Sequence, residues 1–274
     1  MLAIKGSYQK RTRSTLMIWM YYILMGMTFL ALQLAVFNVL REHHTLEWLC
    51  RGTEVLFSIL LLLCGVVAAS DPGKLKKDDS MDFVQLLDSL HPTSLCPDCR
   101  LIRTPRSRHC YFCQRCIDRF DHHCPWVNNC VGKGNFAKFY TFVMLQNLYL
   151  VAVAVQIGYA VKLDINSNTG FDSERVIRLI VQIFLTILEL LFLVSVLSLC
   201  QVQSWNLCMG MTTSERLSKT SSYQKQHEIF KENKELEYVA DDSFKHKYNV
   251  YSIDDNTSQN NSICGNLLGM CCNR

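Results

Sequence analysis

Residues 14–40 read STLMIWMYYILMGMTFLALQLAVFNVL, 27 consecutive positions without a charged side chain. A helix rises about 1.5 Å per residue and needs roughly 20 apolar residues to cross the hydrocarbon of a bilayer, so this stretch is long enough to span one. It is too long for the core of a secretion signal and carries no small-residue cleavage site, and it therefore reads as a retained span. Three further stretches repeat the pattern. Residues 55–70 are uncharged, and extended back to residue 46 they reach spanning length while taking in Arg51 and Glu54 near one interface. Asp71-Pro72-Gly73 then stops the helix. Residues 139–161 are uncharged between Lys138 and Lys162, and residues 179–202 carry one charge, Glu189. The expected fold class is an all-α polytopic membrane protein with four transmembrane helices. An arm covers residues 1–14, spans cover 15–40, 46–70, 137–161 and 179–205, a cysteine-rich domain covers 71–136, and a polar tail covers 206–274.

Composition agrees. Hydrophobic residues make up 49% of the 274 and charged residues 19%, against about 25% charged in soluble domains, which excludes a disordered chain. A net charge of +4 is far from the basic excess that a nucleic-acid-binding domain needs. Ten Lys and Arg lie in residues 71–136 and eight lie beyond residue 205, with few in the two short connectors. Basic residues stay on the cytosolic side, so the N-terminus, the cysteine-rich loop and the tail are expected in the cytosol. Asn256 and Asn260 begin N-x-S/T sequons and on that side are expected to stay unglycosylated. No internal repeat is evident.

Seven of the 14 cysteines fall between residues 96 and 130, with histidines among them: Cys96-x2-Cys99-x9-His109-Cys110-x2-Cys113-x2-Cys116-x5-His122-His123-Cys124-x5-Cys130. Cys-x2-Cys turns are the usual carriers of tetrahedral zinc, and a reducing compartment keeps such thiols free. Ten candidate ligands serve two closed sites of four with two groups left over. Neighbours on extended backbone point opposite ways, so His109 and Cys110 are expected on different metals, and His122 with His123 cannot easily share one. Spacing alone does not identify the spare pair. A spare Cys beside a spare His would form a thiolate–imidazolium pair, the arrangement that activates a cysteine nucleophile, and Asp121 is placed to orient such an imidazole. A purely structural double-zinc module, acting as a non-catalytic membrane adaptor, is the alternative.

The run Asp121-His122-His123-Cys124-Pro125-Trp126-Val127-Asn128-Asn129-Cys130-Val131-Gly132 resembles the core of the DHHC-type protein S-acyltransferases. The resemblance extends to Asp71-Pro72-Gly73 after the second span, to Asn135 and Phe139, and to Thr212-Thr213-Ser214-Glu215 after the fourth, similar to the family's TTxE motif. It implies one zinc on Cys96, Cys99, His109 and Cys116 and another on Cys110, Cys113, His123 and Cys130. It further implies Cys124 as nucleophile, His122 as its base, Asp121 as the orienting carboxylate and Thr213 as a brace. The reaction implied is transfer of a long-chain acyl group from palmitoyl-CoA, through an acyl-enzyme on Cys124, to cysteines of membrane-associated proteins. The family's aromatic/Asn/Gly tail motif is matched only loosely, around Tyr248–Tyr251 and Asn261–Gly265.

On this reading the acyl chain lies among the spans and Trp126 touches its first carbons. Arg119 and Lys133, with Arg100, Arg103, Arg106, Arg108, Arg115 and Lys138, are candidates for the CoA phosphates, against ordinary positive-inside charge. Glu189 shares a helical face with Gln182 and Thr186 and reads as a neutral, hydrogen-bonded group locking helices, with a lining of the acyl cavity as the alternative. Cys271 and Cys272 are either acylated or inert. Golgi, endoplasmic reticulum and plasma membrane all suit the family, and the sequence assigns no oligomeric state.

Overall fold

The computed structural model describes residues 15–41, 44–78, 83, 94–167 and 172–218. The tail cysteines, the sequons, the loose tail motif and the N-terminal arm lie outside them. Four helices are long and apolar enough to cross a membrane: α1 over Leu16–Arg41, α2 over His44–Ala69, α3 over Phe136–Asn166 and α4 over Ser173–Cys208. The fourth starts earlier than its apolar run because Asp172 caps it, its side chain accepting from the Arg175 N–H at 2.9 Å. At 36 residues it is about 54 Å long, well beyond the roughly 30 Å of hydrocarbon. Its last turns therefore clear the bilayer and reach the cysteine-rich domain.

Helix α3 is the centre of the bundle, packed between α2, α4 and the end of α1. Buried polar side chains tie the helices together, as expected where an unpaired polar group would face hydrocarbon. Tyr21 donates to Gln146 at 3.1 Å, Gln156 donates to Thr53 at 2.6 Å, and Tyr140 pairs with Ser204 at 2.9 Å. Near its end α1 contains a π-turn, Gln33–Phe37. A widened turn leaves backbone carbonyls to be satisfied from outside, and Gln182 of α4 donates to the Ala35 carbonyl at 2.8 Å. Gln182 also donates to Asp164 at 2.7 Å, which is held by Arg178 as well. This polar knot fastens three helices at the end of the bundle remote from the cysteine-rich domain.

The cysteine-rich domain consists of three antiparallel hairpins, too short for a period-two pattern to announce them. They are β1 (Leu95–Cys96) with β2 (Leu101–Ile102), β3 (Arg108–Cys110) with β4 (Arg115–Ile117), and β5 (His122–Cys124) with β6 (Asn129–Val131). Each turns in four residues, and the fourth has positive φ: Arg100 at 51°, Gln114 at 53° and Asn128 at 48°. The registers also match, with Cys96 opposite Leu101, Cys110 opposite Arg115 and Cys124 opposite Asn129. A threefold repeat of structure is thus present where no repeat shows in the sequence.

The domain is pinned to the membrane on both sides. Asn129 donates to the carbonyls of Val67 and Ser70 at 3.1 and 2.8 Å, satisfying the open C-terminal end of α2. Asp71 closes a turn by accepting from the Gly73 and Lys74 N–H groups, both at 3.1 Å. Gly73 has φ +94°, a conformation that favours glycine. The turn lies directly on Gly134, where a Cβ would come within 2.5 Å of the Asp71 carbonyl oxygen. Helix α3 begins two residues later. The Cys124 hairpin is therefore clamped between the end of one span and the start of the next.

Candidate functional site

The hairpins divide the ten candidate ligands. Cys96, Cys99, His109 and Cys116 converge with their ligand atoms within 4.8 Å of one another, and Cys110, Cys113, His123 and Cys130 form a second such set. These are the same two sets of four that the family resemblance implies, and each could hold a metal ion. The Nδ1 atoms serve both: His109 Nδ1 lies 3.3 Å from Cys99 Sγ, and His123 Nδ1 lies 3.4 Å from Cys113 Sγ. Four soft donors around one point, mostly buried, suit zinc.

His122 and Cys124 belong to neither set. The matched hairpins give the reason. In the first two, the last residue of the leading strand is a ligand (Cys96, Cys110) and the third residue of the turn supplies its partner (Cys99, Cys113). In the third hairpin the strand position is Cys124, but the corresponding turn residue is Val127, which is buried at 1% exposure in the helical core. A knuckle without its second thiol leaves its first one free of metal. Alternation along β5 then turns His123 toward the metal set and His122 toward the side of Cys124.

Asp121 orients this pair. It is 2% exposed and lies 2.6 Å from His122 Nδ1. The Thr213 N–H donates to its other oxygen at 2.6 Å, and the Thr213 hydroxyl and Gln203 amide donate at 3.0 and 3.3 Å. Asn206 in turn donates to the Thr213 hydroxyl at 2.9 Å. Burial would raise the Asp121 carboxyl, but the hydrogen bond and charge of His122 and the two groups of Thr213 hold it below its ordinary value. Burial works against the His122 imidazolium, yet hydrogen bonds and charge from Asp121 and Cys124 prevail and lift it to about 9. His122 is therefore protonated near neutral pH, and with its Nδ1 held by Asp121 it is left to serve Cys124 through Nε2. The Phe139 ring stands edge-on to the imidazole, with centroids 5.2 Å apart.

The segment after α4 is a short helix, α5, over Thr213–Leu217. Thr212 and Glu215 form a capping box, with Glu215 N–H donating to Thr212 and Thr212 N–H donating to Glu215. Arg106 grips Glu215 with two hydrogen bonds of 2.6 and 2.7 Å and reaches the Gly210 carbonyl at 3.0 Å. This fork holds Thr213 against Asp121. It also corrects one expectation: the Arg106 guanidinium is engaged within the chain rather than presented to a phosphate. Lys133 faces Asp118 at 3.6 Å, and Arg119 occupies a positive-φ position, 44°, ahead of β5. Sequence reading missed Gln203 and Asn206, although two amides at the end of an otherwise apolar helix were a usable signal.

Cys124 stands at the mouth of a cavity of about 360 Å³ running into the bundle. Trp126, half exposed at 48%, lies at the same mouth. The walls come from α1, α3 and α4, through residues such as Leu24, Phe142, Val143 and Val196. Glu189 lines this cavity, and its Oε1 is buried with no hydrogen-bond partner among the described residues. The expected helix-locking role is thus not what the structure shows; Gln182 on the same helix makes the interhelical bonds instead.

Residues 89–220 match the family model of the DHHC palmitoyltransferases. Palmitoyltransferase ZDHHC4 of Mus musculus is 29% identical over 231 residues, covering 78% of this chain and 67% of the relative. Palmitoyltransferase ZDHHC3 of Rattus norvegicus is 33% identical over 158 residues, covering 55% of this chain and 52% of the relative. Palmitoyltransferase SWF1 of Kluyveromyces lactis is 46% identical over 67 residues, covering 24% and 21%. The chain thus spans between about a fifth and about two thirds of the length of these relatives.

Proposed function

We propose that the chain, whose residues 89–220 match the DHHC palmitoyltransferase model and which is similar to ZDHHC4 and ZDHHC3, is a member of that family and a protein-cysteine S-palmitoyltransferase using Cys124, His122 and Asp121. The observation that carries this reading is a cysteine outside both metal sets, beside an imidazole oriented by a buried carboxylate, at the mouth of an apolar cavity. An adaptor would need the two metal sets but neither the spare pair nor the cavity.

In the first step the Cys124 thiolate attacks the thioester carbonyl of palmitoyl-CoA. The S–C bond to CoA breaks, the His122 imidazolium gives its proton to the departing CoA sulfur, and the acyl group remains on Cys124. In the second step neutral His122 takes the proton of an acceptor thiol, which attacks the acyl-enzyme and releases Cys124 to pair with the imidazolium again. Ping-pong kinetics follow. Asp121 keeps the His122 proton on Nδ1, so that Nε2 is the atom that exchanges it. The chain occupies the cavity, where each buried methylene contributes about 0.8 kcal/mol, with Trp126 against its first carbons. Arg119 and Lys133 remain the candidates for the CoA phosphates.

Zinc on each of the two sets would be structural, cross-linking hairpins too short to hold themselves together. The distribution of basic residues supports a cytosolic position for the domain, both termini and the active site, at a Golgi, endoplasmic reticulum or plasma membrane. There the acceptors are cytosolic cysteines of membrane-associated proteins. Intact-mass spectrometry of the purified protein after incubation with palmitoyl-CoA tests the proposal. A hydroxylamine-sensitive adduct is expected in the wild type and lost in Cys124→Ala, with two zincs retained in both. No adduct in either protein, with both zincs bound, would put the adaptor reading ahead.

A further inference from the structure

A second, smaller recess of about 60 Å³ is lined by Pro72, Lys74, Cys113, Arg115, Ile117 and Asn129. None of these residues lines the cavity at Cys124, whose walls come from α1, α3 and α4. Pro72 follows closely on the end of α2 at Ala69, and Asn129 is bonded to the carbonyls of Val67 and Ser70. The recess therefore sits where a span leaves the hydrocarbon, at the level of lipid headgroups. The chain leaving α2 runs antiparallel to β4. Lys74 bridges Ile117, the Asp118 N–H donates to the Gly73 carbonyl at 2.8 Å, and the Leu75 N–H donates to the Cys116 carbonyl at 2.9 Å. Two residues on, the same register sets Lys76 opposite Arg115, and alternation turns Lys74, Lys76, Arg115 and Ile117 to one face.

Like charges set opposite one another on neighbouring strands repel, and an anion between them removes the penalty. Asp71 comes no nearer than 3.9 Å to Lys74 Nζ, and its carboxylate already accepts from the Gly73 and Lys74 N–H groups. Lys76 and Arg115 have no carboxylate partner among the described residues. The volume is about twice the share of one water in the liquid, the scale of a single phosphate group, and ammonium and guanidinium groups are its strong hydrogen-bond donors. Two features point to lipid rather than CoA as the source of that phosphate. The recess shares no lining residue with the cavity at Cys124, and the turn that ends at Cys113 carries two exposed aromatics, Tyr111 and Phe112, of the kind that collects at headgroup level. We infer that the recess is a binding site for the phosphate of an anionic membrane lipid with a phosphomonoester headgroup, the class of phosphatidic acid, held by Lys74, Lys76 and Arg115. A bound lipid fastens the turn after α2, and with it the hairpin that carries Cys124, to the membrane surface. The site is independent of the transferase reading.

The test is native mass spectrometry of the full-length protein in detergent micelles, titrated separately with dioleoyl phosphatidic acid, phosphatidylserine and phosphatidylcholine. A single phosphatidic acid per chain is expected, bound about tenfold more tightly than phosphatidylserine, with phosphatidylcholine at background. The double substitution Lys74→Gln with Arg115→Gln should weaken phosphatidic acid by about tenfold or more, with zinc content and gel-filtration profile as controls for folding. Unchanged affinity in the folded double variant, or equal binding of phosphatidic acid and phosphatidylserine, would overturn the inference. If the double variant does not fold, Arg115→Gln alone, at an exposed position, decides: a loss of about threefold or more supports the site, and an unchanged affinity overturns it. Free CoA and inorganic phosphate are the competing arms. Lipid retained in the presence of an equal concentration of either supports the headgroup site, and displacement assigns the recess to a soluble phosphate and overturns it.

Discussion

Asp121→Asn is expected to slow acylation of Cys124 by a factor between about 10² and 10⁴ while leaving the fold and both metal sets in place. The carboxylate accepts from four groups: His122 Nδ1, the Thr213 N–H, the Thr213 hydroxyl and the Gln203 amide. Asparagine has one accepting oxygen. If it keeps the Thr213 N–H, its NH₂ faces His122 Nδ1, which must then accept, and the ring proton moves to Nε2. An imidazole in that tautomer cannot take a proton from a thiol through Nε2. The lower bound comes from the loss of charge. His122 stands at about 9 instead of 6.5, and at 1.36 kcal/mol per unit its partners favour the imidazolium by about 3 kcal/mol net. The upper bound is the effect of the equivalent substitution in a Ser–His–Asp triad, about 10⁴. Single-turnover acylation followed by intact mass measures the rate, and zinc content with gel-filtration profile controls for folding. A variant that acylates within about threefold of the wild type at pH 7 would refute the reasoning. The stability linkage has a definite sign. A raised folded-state value stabilises fully below about 6.5 and fades as pH rises through about 9, and the depressed Asp121 value keeps its own contribution present above its ordinary 3.8. The difference in melting temperature between wild type and variant should therefore shrink on going from pH 6.5 to 9.

Cys110→Ala should lower bound zinc from two per chain toward one, because it removes a ligand of the second set, whereas Cys124→Ala should leave two; atomic absorption on the purified proteins reads both. Arg106→Leu removes the fork from Glu215, a carboxylate only 5% exposed, and should cost about 2 kcal/mol. It should also raise hydrogen exchange in residues 212–218 and slow acylation by loosening Thr213. Gly134→Ala would drive a Cβ to 2.5 Å from the Asp71 carbonyl oxygen and 2.8 Å from the Gly73 nitrogen. Neither is a side-chain atom that can swing aside, so a loss of about 1–3 kcal/mol is expected, visible as a lower thermal midpoint, while Gly26→Ala, with nothing within 4 Å, should be tolerated.

What the sequence determined by itself is what is local. An uncharged run of 27 residues is a membrane span wherever it lies, because the cost of a charge in hydrocarbon is a property of the segment and not of its neighbours. The density of Cys and His between residues 96 and 130 likewise announced enough ligands for two sets that could each hold a metal ion, with a surplus of two. The family's motifs carried the assignment of that surplus, since spacing left it open. Tertiary structure decided what depends on residues far apart in the chain. The absence of a second thiol opposite Cys124 becomes visible only when three hairpins with little likeness in sequence adopt the same register and place Val127 where Cys99 and Cys113 stand. The fork of Arg106 on Glu215 joins residues 109 positions apart, so a residue that reads as a potential phosphate ligand proves to be a clamp on the short helix that carries Thr213. Glu189 could be found in the sequence, but whether it faced a partner or a void was set by which of α4's polar side chains met α1 and α3 across the bundle. Gln182 met them, and Glu189 was left facing the cavity.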